Sequence, residues 1–169
     1  LEFVNPNKLE PLAALGTSCP DHFLRTKLRP LVVGFDPAKP DVGGTLAALA
    51  AQVEAYRADY SAYYYRCKHP DSPPLRDANA VVYLVPGVGM LTFAKDKATA
   101  RISGEFYINA INVMRGADTV STYRGLPEQE AFDIEYGLLE EAKLQRMPKL
   151  KSLAGRVALV ACPPVHEQP

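Results

Sequence analysis

The sequence predicts a single α/β domain with a small, mixed or mainly antiparallel sheet and three main helices packed on it. Three observations carry this. Long stretches from Asp41, Asp96 and Pro127 have apolar residues at helical spacing. Two short β-branched, apolar runs, Ala80 to Val85 and Met90 to Ala94, flank a Pro-Gly turn. The 169 residues are 47% hydrophobic, enough for one self-sufficient core without disulfides or metal.

Asn5-Pro6-Asn7-Lys8 opens a short helix that ends near Gly16, with Asn5 as cap and Pro6 at the first helical position. Gly16 to His22 has loop chemistry, and Phe23 to Lys27 is expected to be extended. Leu31 to Phe35 reads as a short buried strand, stopped by Asp36-Pro37. The first long helix runs from Asp41 to Arg66. Leu46, Leu49, Val53, Tyr56, Tyr60, Tyr63 and Tyr64 form its stripe, expected to be core with tyrosine hydroxyls at the rim. His69-Pro70-Asp71-Ser72-Pro73-Pro74 ends it, since proline cannot continue a helix.

Ala80 to Val85 is near-continuously apolar, which predicts burial on both faces. The turn Pro86-Gly87-Val88-Gly89 is short enough to demand an antiparallel hairpin with the strand that follows. Asp96 caps the second long helix, expected to run to about Arg115 with Ile102, Phe106, Ala110 and Val113 inward, Met114 beside them and Gly116 as its stop. Val120 to Tyr123 reads as a short strand. The third helix is expected from Pro127 to about Met147. Glu128, Glu130 and Asp133 lie at its positive end, Lys143 and Arg146 at its negative end. Lys149 to Gly155 has linker composition, Arg156 to Val160 reads as a fresh strand, and Cys162 to Pro169 is structureless by composition.

Nineteen basic and nineteen acidic residues cancel. That balance argues against a general nucleic-acid binder and against a polybasic membrane binder. No apolar run approaches the ~20 residues that span a bilayer, and no signal peptide is visible. Cys19, Cys67 and Cys162 are odd in number, far apart and wrongly spaced for zinc. A cytoplasmic chain with three free thiols is the expectation.

His22, His69 and His166 form no metal-ligand motif, and no G-x-S-x-G or phosphate loop is present. Gly87-Val88-Gly89 follows a strand, but the third glycine of a dinucleotide fingerprint would fall at Thr92, so a β-turn glycine pair is the reading. The richest polar cluster is Cys19 to Lys27. In an extended stretch Arg25 and Lys27 project to one side, where two cations could grip a phosphate or carboxylate. Asp21, His22, Arg25 and Lys27 are therefore the candidate residues for binding such an anion, against a plain surface salt-bridge patch. Lys95, Lys97 and Arg101 make a weaker basic group beside helix N–H donors.

Four stretches together carry a resemblance: Cys19-Pro20-Asp21-His22-Phe23-Leu24-Arg25-Thr26-Lys27, Leu84-Val85-Pro86-Gly87-Val88-Gly89-Met90, Ser103 to Gly116, and Glu140 to Pro148. Over about residues 1 to 160 the chain resembles the middle region of the bacterial bifunctional class II aldolase/short-chain dehydrogenase family. Its members are usually described as rhamnulose-1-phosphate aldolase/alcohol (lactaldehyde) dehydrogenase. The resemblance implies an aldolase region with divalent zinc before this stretch and an NAD-binding dehydrogenase region after it. Residues 1–148 would be an α/β middle domain, 149–160 a linker and truncated first dehydrogenase strand, and 161–169 a non-native or disordered tail. Ala161-Cys162-Pro163-Pro164 departs from the family's Thr-Gly-rich turn. Leu84 to Ala94 resembles an aldolase segment whose Gly-His-Gly supplies a zinc ligand, and Val88 stands at the histidine's place. A degenerate aldolase-like unit is thus implied, with no metal and no cofactor of its own.

Leu1 in place of Met, and a strand at the end with nothing to follow it, add the expectation of a piece of a longer chain. The functional expectation is a non-catalytic connecting or oligomerisation domain of a sugar-catabolic bifunctional enzyme in rhamnose catabolism. Its partners would be the flanking aldolase and dehydrogenase domains or a second copy. The alternatives are a contribution of sugar-phosphate-binding residues to the aldolase site, and a stable folded fragment without independent function.

Overall fold

The computed structural model describes residues 6–17 and 19–147. The linker, strand and tail expected from 149 onward, and Cys162, lie outside the described residues. The chain begins with α1 (Pro6–Leu15) and α2 (Pro20–Thr26), then β1 (Leu31–Val32) and α3 (Val42–Cys67). β2 (Val82–Val85) and β3 (Gly89–Thr92) follow, then α4 (Lys97–Val120), α5 (Glu128–Glu135) and α6 (Leu138–Arg146). The expected class is found: a small α/β domain with a three-stranded mixed sheet, ordered β1-β2-β3.

β1 pairs in parallel with β2, Leu31 opposite Tyr83, and Val33 N–H extends the ladder to Leu84 O at 2.8 Å. β2 and β3 form the expected antiparallel hairpin, Val82 opposite Thr92 and Val85 opposite Gly89. Gly87 and Gly89 make its turn at φ +70° and +150°, a region that L side chains avoid. A Cβ at Gly87 would also lie 2.7 Å from Pro37 Cβ.

Side chains alternate across β2. Val82 and Leu84 are fully buried against Tyr107, Ala110 and Met114 of α4 and Ala13 of α1. Tyr83 and Val85 face Leu49, Val53 and Tyr56 of α3 but stay half-buried. The expectation of burial on both faces is therefore corrected. Only the C-terminal half of α3 is firmly covered, and Leu46, in the expected core stripe, is 63% exposed. A third cluster joins Phe23, Tyr60, Tyr63, Tyr64, Phe132 and Tyr136, with Phe132 and Tyr136 stacked at 4.7 Å.

Four further expectations are corrected. Phe23 to Thr26 is helical, not extended, and Lys27 is the residue that caps the helix. Cys19 is an extended N-cap, Pro20 takes the first turn, and the Thr26 hydroxyl bonds His22 O at 3.0 Å. α4 passes through Gly116 to Val120, because the glycine faces open space and nothing forces a turn there. That extension takes up the expected strand at Val120. The inward face of α4 also shifts by one residue, with Met114 fully buried and Val113 37% exposed. Finally, the third long helix is two helices, broken at Tyr136-Gly137, where Tyr136 turns into the aromatic cluster.

Candidate functional site

α2 presents its apolar side to α4 and α5 and its polar side to a cavity of about 680 Å³. Arg25 and Lys27 line this cavity together with Lys95, Thr99 and Ser103. Asp77, Asn79, Tyr83, Phe93, Leu144 and Met147 also line it.

Arg25 and Lys27 meet here for a reason different from strand alternation. Lys27 is the residue after the helix, at φ +62°, and the turn redirects its side chain inward. Its ammonium donates to Asp77 O and sits 3.9 Å from the centre of the Tyr60 ring. Burial pushes this amine down to about 8, against the opposing pull of Glu135 and Asp77.

Asp21 and His22 stand away from the cavity wall. Asp21 is exposed and pairs with Lys143 at 2.6 Å, which holds its carboxyl below the usual range, and Lys143 also reaches Glu140 at 2.5 Å. His22 is buried beneath α4. Its Nδ1 lies 3.0 Å from Thr17 Oγ1, its Nε2 3.4 Å from Asn109, and its ring meets Phe106 edge-on at 5.3 Å. Burial lowers its pKa, favouring the neutral imidazole. Of the second basic group, Lys95 reaches the cavity, whereas Arg101 pairs with Glu105 along α4.

Sequence reasoning missed the neighbouring polar network. Tyr60 and Tyr63 do not send their hydroxyls to the rim. Both donate to the buried Glu135, at 2.6 and 3.2 Å. Tyr60 also meets the Tyr136 hydroxyl at 2.8 Å, and Arg76 donates to Glu135 O at 2.6 Å. Burial raises the Glu135 carboxyl, while the tyrosines and Lys27 oppose the rise. The tyrosine spacing was visible, but an acid eight residues into the third helical pattern gave no sign that it would be enclosed.

A second feature is apolar. Val42, Leu46, Leu49 and Val53 of α3 face Tyr83, Val85, Val88, Leu91 and Phe93 of the hairpin across an open groove. Val42, Leu46, Val88, Leu91 and Phe93 are each more than half exposed.

The residues present do not fit a zinc ion. Val88 at the hairpin turn offers no donor atom, and among the described residues no group of three or more His, Cys, Asp or Glu is placed to hold a metal. Cys19 and Cys67 are free. Among the described residues no helix is long and apolar enough to cross a membrane.

Comparison with known proteins bears on the fold and on the family. The chain is 34% identical over 160 residues to the "Uncharacterized oxidoreductase YuxG" of Bacillus subtilis (strain 168), covering 95% of this chain and 23% of that protein. It thus spans about a quarter of its relative's length. No solved structure matches. The family model described as "Aldolase class II, second domain" matches residues 1–144, and with the α/β architecture above, the chain belongs to that class II aldolase family.

Proposed function

We propose that this chain is a connecting, non-catalytic domain of a longer cytoplasmic bifunctional enzyme. The enzyme is of the rhamnulose-1-phosphate aldolase/alcohol (lactaldehyde) dehydrogenase kind, and its zinc and NAD are held by the flanking domains. The observation that carries this is the apolar groove between α3 and the hairpin. Five large apolar residues are exposed together there, a pattern that marks an interaction surface. The occupant is a flanking domain of the same longer chain. That choice rests on the coverage of only 23% of YuxG, a relative whose own name is that of an oxidoreductase.

Leu91→Glu tests it. Leu91 is 56% exposed, so a carboxylate costs the isolated domain little, within about 0.5 kcal/mol. In the chain extended by its flanking domains the same charge is buried at the junction, and thermal unfolding moves to markedly lower temperature. Equal small shifts in both chains contradict the reading.

The cation-lined cavity favours a second reading, a contribution to sugar-phosphate binding. Arg25, Lys27 and Lys95 line it together with Thr99 and Ser103. In the longer enzyme, Arg25→Ala with Lys95→Ala raises the aldolase KM and leaves kcat nearly unchanged. An unchanged KM removes this reading.

A further inference from the structure

We propose that a flanking domain docks by adding an extended strand to the outer edge of β3, so that the sheet continues from one domain into the next. This mode of docking rests on the connecting-domain reading. Among the described residues β3 is the last strand of the sheet, with a neighbour on one side only. Phe93, just past β3, donates its N–H to Val81 O at 2.9 Å, toward β2. Peptide groups alternate in direction along an antiparallel strand, so the N–H and C=O groups of Met90 and Thr92 point away from β2. Among the described residues neither of these N–H groups meets a backbone or side-chain acceptor. Two aligned donors with their carbonyls beside them are one half of a β-ladder, and its other half is an extended main chain.

Nothing in the sequence of this strand blunts the edge. Natural edges are protected by charged side chains, by proline or by a bulge. No charged residue lies between Val85 and Ala94, and β3 contains no proline. β3 pairs with β2 residue for residue, from Val82 opposite Thr92 to Val85 opposite Gly89, so no bulge bends it away.

The edge is continuous with the apolar groove. Leu91 and Phe93, 56% and 55% exposed, belong to this stretch and also line the groove. A body that covers the groove therefore lies beside the edge, and a strand laid along it sets its own side chains against Leu91 and Phe93. Those side chains are apolar or β-branched, because a charge placed there would lose water and gain no counter-charge. The match to only 23% of YuxG leaves a chain of that kind ample length outside this domain to supply the strand.

Amide hydrogen exchange tests this, read residue by residue on the 169-residue chain and on the chain extended by its flanking domains. The Phe93 N–H, bonded within the hairpin, is the internal reference in both. Met90 and Thr92 are expected to exchange rapidly in the 169-residue chain and at least about tenfold more slowly in the extended chain. Unchanged exchange at Met90 and Thr92 overturns the strand addition. Thiol labelling of Leu46→Cys in the same two chains separates this from the connecting-domain reading. Slowed labelling with unchanged exchange means that the groove is covered without a shared sheet, so only the strand addition falls. Unchanged labelling and unchanged exchange remove both. Slow exchange at Met90 and Thr92 in the 169-residue chain that strengthens with its concentration gives the edge to a second copy, and also overturns the proposal.

Discussion

Lys27 and Glu135 are buried ionisable residues of the seam between α2, α3 and α5, Lys27 on the Tyr60 ring and Glu135 on the Tyr60 and Tyr63 hydroxyls. The sign of their pH dependence follows from proton counting. Lys27 loses its proton at about 8 in the folded chain and at its ordinary 10.5 when unfolded. Between those values the unfolded chain holds the extra proton, so stability rises with pH, and below about 8 the penalty is fully present. Glu135 has its pKa raised, so it works the other way in acid. Its contribution is present when protonated and is lost as pH rises through its folded value. Denaturant titrations at pH 8 and at pH 9.5 therefore change stability in the protein more favourably than in Lys27→Met, by about 1.5–2 kcal/mol. The variant itself loses stability as pH rises through this window, because burial raises Cys67 and the enclosed tyrosines and the unfolded chain releases their protons first. None of this was readable in advance. Arg25 and Lys27 were read together from strand alternation, whereas they line one cavity from the last turn of a helix and the positive-φ residue that follows it. His22 looked chemical in the sequence because its neighbours are polar, yet its ring is buried on Phe106 and Thr17.

At the scale of elements, the hairpin, α3 and most of α4 were legible, since each shows its period over many residues. Helix ends were harder, because a glycine signals a stop only when the surrounding structure uses it. Gly116 and Gly137 make the contrast. Gly116 lies inside α4 with no atom within 4 Å of a Cβ, so Gly116→Ala should stabilise the protein by about 0.5–1 kcal/mol through reduced backbone freedom. At Gly137, between α5 and α6, a Cβ would sit 2.5 Å from Asp133 O. Gly137→Ala should destabilise by about 1–3 kcal/mol. Urea unfolding of both variants checks the pair, and effects of the same sign would count against this account of the two helix ends. The break itself escaped the sequence pattern because Glu128 to Arg146 keeps helical charge placement across it. What ends α5 is the insertion of Tyr136 against Phe132 and Tyr64, a tertiary contact.

Across the whole molecule, two clusters are closed and one is open. α4 and α1 seal one face of the sheet, and α2, α3 and α5 enclose the aromatic seam. The other face of the sheet is covered only by the middle of α3, which leaves the groove from Val42 to Phe93 exposed. The sequence made that face look like core, because a surface awaiting a partner domain carries the same residues as an interior. The neutral charge balance fits the connecting domain proposed above, whose groove would be recognised by shape and apolar contact. The most direct measurement is thiol labelling of Leu46→Cys, a position 63% exposed in this domain, read by peptide mapping so that Cys19, Cys67 and Cys162 are counted separately. The connecting-domain account predicts rapid labelling in the 169-residue chain and labelling slowed about tenfold or more in the chain extended by its flanking domains. Equal labelling rates in the two chains would contradict it.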